Sequence, residues 1–115
     1  MTKNKVLSQL GLAQRAGKLV TGDDIVFKAV RNKQAHLVFV AGDGSDNTKK
    51  KFRDKCRTYH VPLVIGFTRD ELGESIGKLD RVIVAVTDHG FANMMKNVLI
   101  TMSEVEYIEQ TRERQ

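Results

Sequence analysis

Cysteine and long apolar runs are both scarce in this sequence, and each absence excludes a class of protein. The single cysteine, Cys56, cannot form an internal disulfide bond, and it rules out a metal site built of several cysteines. No apolar run approaches the roughly 20 residues that a helix needs to cross a bilayer. The basic N-terminus leads into an amphipathic pattern instead of the continuous apolar segment of a secretory signal. We therefore expect a cytoplasmic protein that has no contact with a membrane.

Low-complexity segments are also missing, and the composition is that of one globular domain. The 115 residues are 41% apolar and 29% charged, which suits a folded chain better than a disordered one. The net charge is +5, but residues 1–103 carry 17 basic and 10 acidic residues, a net charge of +7. Such an excess attracts polyanions and gains affinity by releasing their counterions. We predict a domain over residues 1–103 and a charged C-terminal tail over residues 104–115.

Helical and strand-like periodicities alternate along this domain without a linker. Apolar residues recur at helical spacing up to Gly17, which is placed to end the first helix. A short extended segment at 18–20 precedes three unbroken apolar runs, which predict strands covered on both faces: 37–41, 63–66 and 82–86. Helices are predicted between and after these strands. The alternation indicates an α/β fold with a small sheet and helices on both sides.

Capping patterns predict where four of the helices begin. Thr21, with Asp24 three residues later, predicts a capping box at the start of the second helix. Asp46 or Asn47 is expected to cap the third helix, which is strongly basic and extends from residue 48 to 59. The same criteria give a capping box and an N-cap for the last two helices: Thr68 with Glu71, and Asp88.

The turn Gly42–Asn47 has two interpretations. It follows a strand and precedes a helix, where the phosphate-binding glycines of a dinucleotide site would lie. Two of the three glycines are present, but Asp43 and Asp46 would place negative charge against a pyrophosphate. A turn in which glycine supplies a positive φ and a polar residue caps the helix explains the same residues. A nucleotide or S-adenosylmethionine binder that uses this turn remains the alternative function, beside a protein-interaction module.

The histidines do not indicate a catalytic or metal site. His36, His60 and His89 each lack a second ligand at a spacing that suits a metal ion. His89 follows Asp88, which suggests a base and its orienting acid, but Asp88 is explained as a helix cap and no nucleophile is identifiable nearby. We therefore expect no catalytic residues, no metal, no cofactor and no enzymatic activity.

Two basic segments are candidates for contact with nucleic acid. The helix 48–59 carries six basic residues, which form either a solvated face or a phosphate-facing surface. The second segment is Gly22–Lys28, because a helix N-terminus presents free backbone N–H groups and partial positive charge. Lys18 before it and Lys28 after it could hold an RNA backbone. A helix cap with surface lysines would explain the second segment without RNA.

Several short motifs, taken in order and with their spacing, resemble one protein family. They are Arg15–Gly22, Lys28–Arg31, Phe39–Asp43, Val61–Leu63, Glu71–Gly73 and Ile76–Lys78. Together they resemble the kink-turn-binding ribosomal-protein superfamily (L-seven-Ae, L-thirty-e and Gadd-like proteins), and more closely its bacterial YlxQ-like branch. The resemblance extends over about residues 3–103.

This resemblance implies a fold and a partner. The fold would be a three-layer α-β-α sandwich with a central mixed sheet of about four strands. The partner would be structured RNA, such as a kink-turn or ribosomal RNA, bound without catalysis. We also expect the protein to be a monomer that associates with the ribosome. The start of the second helix and the loop before the last strand would contact RNA, with nearby cations on phosphates. The expected RNA-binding residues are Lys18, Gly22, Asp23, Asp24, Ile25, Lys28, Arg31, Lys78, Leu79, Asp80 and Arg81.

Two positions depart from the pattern of kink-turn readers, which generally carry Asn-Glu where this chain has Asp24-Ile25. Asparagine both donates and accepts hydrogen bonds, whereas an ionised aspartate only accepts and isoleucine does neither. In the strong kink-turn binders the loop before the last strand is apolar, but here Leu79 is flanked by charged residues. The fold and the RNA-binding class therefore transfer better than the specificity for kink-turns.

Overall fold

Helices and strands alternate along residues 2–110, which are the residues that this computed structural model describes. The helices are α1 (Thr2–Arg15), α2 (Asp23–Arg31), α3 (Asp46–Tyr59), α4 (Arg69–Ser75) and α5 (His89–Leu99). The strands are β1 (Leu19–Thr21), β2 (Leu37–Val40), β3 (Leu63–Ile65), β4 (Ile83–Val86) and β5 (Glu106–Ile108). None of these helices is long and apolar enough to cross a membrane.

The strands form one mixed sheet in the order β1-β4-β2-β3-β5. Only β2 and β3 are parallel, and every other neighbouring pair is antiparallel. The predicted α/β class with a mixed sheet is confirmed, but the expected number of about four strands is one too low. The additional strand, β5, pairs with β3 and belongs to the segment 104–115 that was predicted to be a tail. Residues 111–115 of that predicted tail lie outside the described residues.

Alternate residues of the central strands face two separate apolar layers. Leu37 and Phe39 of β2 pack with side chains of α1, α4 and α5, whereas Val38 and Val40 pack with side chains of α2 and α3. All four residues of β2 are buried, as are all residues of β3 and β4. Burial on both faces explains why these strands are unbroken apolar runs in the sequence. The arrangement is the predicted three-layer sandwich, with α2 and α3 in one outer layer.

The start of α2 differs from its prediction. Thr21 is the last residue of β1, where it pairs with Val84, and Gly22 occupies the N-cap position. No side chain makes a capping hydrogen bond at this position, so the capping box predicted from Thr21 and Asp24 does not form. Gly22 has φ 96° and ψ 148°, a conformation that is essentially restricted to glycine. The chain therefore enters α2 through a turn that the backbone of glycine alone permits.

The caps of the other helices follow the sequence more closely. Ser45 caps α3, because its hydroxyl accepts a hydrogen bond from the backbone N–H of Thr48 at 3.1 Å. The prediction of Asp46 or Asn47 as this cap was therefore wrong by one or two residues. The predicted capping box of α4 and the predicted N-cap of α5 are both confirmed: Thr68 with Glu71, and Asp88.

Candidate nucleic-acid interface

The ends of β1 and β4 bring two distant segments of the chain together. These strands are antiparallel neighbours, with Thr21 opposite Val84, so the residues after β1 lie beside the residues before β4. The backbone N–H of Gly22 donates to the carbonyl of Ile83 at 3.2 Å. The first turn of α2 and the loop formed by residues 77–81 therefore lie side by side at one end of these two strands.

A cavity of about 320 Å³ lies between these two segments. It brings together four of the predicted site residues: Gly22, Asp23, Asp80 and Arg81. Residues of the turn before α3, of α3, of α4, of β4 and the residue before β4 complete its lining: Gly44, Ser45, Thr48, Arg69, Ile83 and Val82. We call this cavity the α2 groove.

Gly22 presents bare backbone beside the α2 groove. It is exposed, and a Cβ atom built on it would meet nothing within 4 Å. Because no side chain caps α2, no capping side chain occupies the backbone N–H groups of its first turn. Asp23 and Asp24 follow directly, and acidic residues at this end of a helix interact favourably with its dipole. The first turn of α2 therefore offers an approachable backbone that is flanked by two carboxylates.

The loop 77–81 is held against α4 by a glycine. A Cβ atom on Gly73 would lie 2.5 Å from the Cα of Asp80 and 2.6 Å from the carbonyl oxygen of Leu79. The backbone N–H of Lys78 donates to the Gly73 carbonyl at 2.8 Å, and that of Arg81 donates to the Arg69 carbonyl at 3.1 Å. The loop thus packs directly on the helix backbone, which fixes the position of Leu79. The Leu79 side chain is 92% exposed.

Ion pairs engage two of the acidic residues at the α2 groove. The Arg69 guanidinium donates from Nε and Nη2 to Asp80 Oδ2, at 3.0 and 2.7 Å. This hydrogen bond and the charge of Asp80 raise the pKa of Arg69. Asp23 pairs with Lys51 of α3. The Nη1 of Arg81 donates to the backbone carbonyl of Asp80 at 2.6 Å, which holds the Arg81 side chain along the loop.

Three predicted lysines carry charge that no acidic side chain neutralises. Lys18, Lys28 and Lys78 are all exposed, and none of them forms an ion pair within residues 2–110. Lys28 lies five residues after Asp23, about 8 Å further along the helix axis. Lys78 belongs to the loop that faces α2. Lys28 and Lys78 therefore place positive charge beside the carboxylates of the α2 groove.

Two predicted residues lie away from the α2 groove. Lys18 and Gly22 flank the three-residue strand β1 on opposite sides, so roughly 13 Å separate them along the chain. The Lys18 carbonyl accepts from the backbone N–H of Thr87, at the far end of β4. Arg31 is the last residue of α2, about 12 Å along the axis from its first residue. The α2 groove itself therefore excludes Lys18 and Arg31.

The exposed apolar residues of the predicted site are Ile25 and Leu79. Ile25 is 57% exposed on the first turn of α2, although its neighbour Val26 is completely buried. Water-exposed apolar side chains at the same edge of the sheet lose unfavourable hydration when a partner covers them. Together with Lys28 and Lys78, they give this surface both apolar and cationic contacts.

The sequence did not indicate that the turn Gly42–Asn47 contributes to this surface. Its Gly44 approaches β4 closely, since a Cβ there would lie 2.9 Å from Cγ1 of Val82. Asp43 accepts a hydrogen bond from the backbone N–H of Arg69 at 2.9 Å, and Ser45 caps α3. The polar groups of the turn are thus used within the protein, which does not favour the nucleotide-binding alternative.

The histidines lie outside the α2 groove. The rings of His36 and His89 stack edge to face at 5.6 Å, and His60 adopts a left-handed conformation at the end of α3. Burial, followed by the charge of His89, lowers the pKa of His36. Within residues 2–110, no three His, Cys, Asp or Glu residues are grouped as metal ligands would be.

Comparison with known proteins gives one family for most of the chain. Residues 4–96 match the model of the ribosomal protein L7Ae/L30e/S12e/Gadd45 family. The chain is 53% identical over 90 residues to the RNA-binding protein YlxQ of Bacillus subtilis (strain 168), an alignment that covers 78% of this chain and 90% of that protein. It is 42% identical over 97 residues to the RNA-binding protein YlxQ of Enterococcus faecium, covering 84% and 93%.

Solved structures have the same fold. A protein with unknown function from Bacillus halodurans C matches with a TM-score of 0.81 and 44% identity, over 84% of this chain and 97% of that one. The Giardia lamblia 15.5kD RNA binding protein matches with a TM-score of 0.75 over 87% and 86% of the two chains. Its identity is 17%, so this second likeness concerns the fold alone.

Proposed function

Because the chain belongs to the ribosomal protein L7Ae/L30e/S12e/Gadd45 family, we propose that it is a non-catalytic protein that binds structured RNA through the first turn of α2 and the loop 77–81. The main support is the juxtaposition of these segments, which the β1–β4 pairing holds side by side. Two relatives that align over most of the chain are named RNA-binding proteins.

The RNA backbone approaches α2 at Gly22. No side chain covers this residue, so a phosphate or sugar can come close to the N–H groups of the first helical turn, which carry partial positive charge. Lys28 and Lys78 contact phosphates on either side, since no carboxylate of residues 2–110 forms an ion pair with them. Phosphate contacts of this kind position the RNA without reading its sequence.

Base contacts come from the exposed side chains between these cations. Ile25 and Leu79 present apolar surface on which unstacked bases or riboses can pack. An ionised Asp24 accepts hydrogen bonds from the amino groups of bases, for example N4 of cytosine or N2 of guanine. A kink-turn is the specific target that we propose. The absence of a side-chain donor at positions 24 and 25 implies weaker base recognition than an Asn-Glu pair would give.

The experiment that tests this proposal is a binding titration against a kink-turn RNA and a plain duplex of equal length, each at several salt concentrations. Preferential binding of the kink-turn, with affinity that falls as salt rises, supports the full proposal. Equal and salt-sensitive affinity for both RNAs retains RNA binding but removes kink-turn specificity. No measurable affinity for either RNA contradicts the proposal. Lys28→Gln should reduce the slope of log Kd against log salt by about one unit.

We further propose that the protein acts as a monomer on ribosomal RNA in the cytoplasm. The family description and the similarity to RNA-binding relatives support the association with ribosomal RNA. Sedimentation of the purified protein with ribosomal subunits, before and after ribonuclease treatment, tests it. Co-sedimentation that ribonuclease abolishes agrees with the proposal. Association that survives this treatment would point to a protein partner instead.

A further inference from the structure

Three cationic side chains converge on one aromatic ring beside the α2 groove. The charged groups of Arg31, Lys51 and Lys55 lie 5.4, 5.4 and 5.5 Å from the centre of the Phe27 ring. Phe27 and Arg31 belong to α2, whereas the two lysines belong to α3, which packs beside it. We call these four residues the Phe27 cluster.

Most basic residues of α3 form ion pairs with acidic side chains. Of the three cations in the Phe27 cluster, only Lys51 does so within residues 2–110. Ion pairs engage four basic residues elsewhere on α3: Lys49 with Asp46, Lys50 and Arg57 with Asp54, and Arg53 with Glu106. Lys51 pairs with Asp23. Neither Arg31 nor Lys55 has an acidic partner within residues 2–110. Lys55 is therefore the one basic residue of α3 without an ion pair within residues 2–110, and it lies where α3 borders α2.

The Phe27 cluster is continuous with the proposed RNA site. Asp23 lines the α2 groove and also pairs with Lys51, so an ion pair links the groove to a residue of the cluster. Phe27 follows Asp23 by four residues, which places it one turn further on the same side of the helix. Arg31 is three residues after Lys28 and hence its neighbour on the helix surface. A chain of cations thus extends from Lys28 through Arg31 to Lys55.

We propose that the Phe27 cluster is a second contact for the RNA backbone, which holds phosphates of the helix that continues beyond the element bound at the α2 groove. Close cations repel one another, and a phosphate between Arg31 and Lys55 would relieve that repulsion. The quadrupole of the Phe27 ring attracts cations to its face, so their positions are set before RNA binds. The inference rests on the proposed RNA-binding function and enlarges its footprint from α2 onto α3.

The test compares two RNAs and three variants. One kink-turn RNA has a flanking helix of a full turn, and the other has the same core with this helix cut to a few base pairs. The variant Arg31→Gln/Lys55→Gln removes both unpaired cations of the cluster, and Arg31→Lys/Lys55→Arg keeps their charge. The control Lys5→Gln/Arg15→Gln removes one lysine and one arginine from α1, which lies in the opposite helical layer. Circular dichroism checks that each variant is folded.

Loss of both cluster cations should raise Kd for the long RNA about tenfold and reduce its salt slope by nearly two units. The short RNA, the charge-preserving variant and the control should show neither change. A weaker affinity with an unchanged salt slope would mean that the cluster does not contact phosphates, which overturns the inference.

Failure of the inference can be separated from failure of the proposed function. If Lys28→Gln weakens salt-sensitive binding while the double variant matches the wild type on both RNAs, the Phe27 cluster is not an RNA contact and the α2 groove remains one. If the wild-type protein binds neither RNA at any salt concentration, both proposals are wrong. Capture of an acidic protein by the wild-type chain, but not by the double variant, after ribonuclease treatment would also overturn the RNA assignment.

Discussion

At the scale of single residues, the surface around the α2 groove combines side chains of different hydrogen-bonding capacity. Asp24 accepts hydrogen bonds but does not donate them, and Ile25 neither donates nor accepts. Leu79 is almost fully exposed. The adjacent Asp23 and Asp80 are engaged by basic residues. The proposed recognition of bases therefore depends on a few side chains that can be exchanged without disturbing the core.

Asp24→Asn/Ile25→Glu should strengthen the preference for kink-turn RNA. The asparagine can donate as well as accept, and the glutamate adds an acceptor, so the variant gains one or two hydrogen bonds to bases. At about 1 kcal/mol each, the gain corresponds to roughly a fivefold to thirtyfold lower Kd. Fluorescence anisotropy with kink-turn and duplex RNAs measures the ratio of the two affinities. An unchanged ratio would show that these two positions do not read the kink-turn.

The stability of the protein should fall on acidification because of His36. Burial and the neighbouring His89 lower the pKa of His36 in the folded chain, so below the ordinary histidine pKa of about 6.5 the unfolded chain binds the proton first. The contribution of His36 is therefore complete above this pH and is lost as the pH falls towards the lowered pKa. Urea midpoints measured from about pH 7.5 to about pH 5.5 should decline less steeply for His36→Gln.

The exposed His60 supplies the control for this pH experiment. It lies at the end of α3 with φ 60°, a conformation that asparagine tolerates. His60→Asn, measured beside His36→Gln, removes a second histidine without touching the contact between His36 and His89. An equal reduction of the slope in both variants would contradict the role assigned to His36.

At the scale of helices and strands, local sequence signals succeeded where no neighbouring element competed. Thr68 and Glu71 form the capping box that their spacing predicts. Thr21 does not cap, because β4 already pairs with it as a strand residue and Gly22 makes the turn. Sequence spacing carries no information on the strand partner, so the two threonines looked equivalent before the fold was known.

Thr68→Val and Thr21→Val separate these two roles. The first substitution removes a hydroxyl that accepts from the backbone N–H of Glu71 at 3.0 Å, and it should reduce the free energy of unfolding by about 1 kcal/mol. The second substitution retains a β-branched side chain on a strand and should change the free energy of unfolding by less than about 0.5 kcal/mol. Urea denaturation measures both. Equal losses would mean that Thr21 contributes a cap after all.

Gly73→Ala should disturb the loop 77–81 more than it disturbs the core. The new methyl group would overlap the backbone of Leu79 and Asp80, so the loop must move away from α4. Crowding of this kind costs about 1–3 kcal/mol, and RNA affinity should fall as Leu79 is displaced. Gly90→Ala is the control, because its Cβ would meet only the Asp88 carboxylate at 3.2 Å. Wild-type RNA affinity in a folded Gly73→Ala protein would exclude the loop from the interface.

At the scale of the whole molecule, the central strands of the sheet were predictable and the edge strand β5 was not. The strands β2, β3 and β4 are buried on both faces and are therefore unbroken apolar runs in the sequence. β5 is an edge strand with an exposed Glu106 and half-buried Tyr107 and Ile108, so it has no such run and was assigned to a tail. The candidate site was likewise predicted in part from the sequence. The family resemblance supplied its two segments, but the contributions of Ser45, Thr48 and Arg69 depend on tertiary packing.

Removal of β5 should destabilise the fold. Val105 and Tyr107 pack against one core layer, and Glu106 forms a two-point ion pair with Arg53 at 2.7 and 2.9 Å. A chain that ends at Ser103 should lose about 2–4 kcal/mol of unfolding free energy relative to a chain that ends at Gln110, mainly from the exposed apolar surface. Urea denaturation of the two truncated chains gives this difference. Equal stability would show that residues 1–103 fold independently.

The pairing of β1 with β4 also determines which partner must change shape on binding. The β1–β4 hydrogen bonds hold the residues before α2 beside the residues before β4, and Gly73 holds the loop 77–81 on α4, so the arrangement of these segments is set in the free protein. A preorganised protein surface loses little conformational entropy on association. Under the proposed function, the RNA supplies the adaptation, and sequences that already bend in solution should associate faster than sequences that have to be bent on the protein.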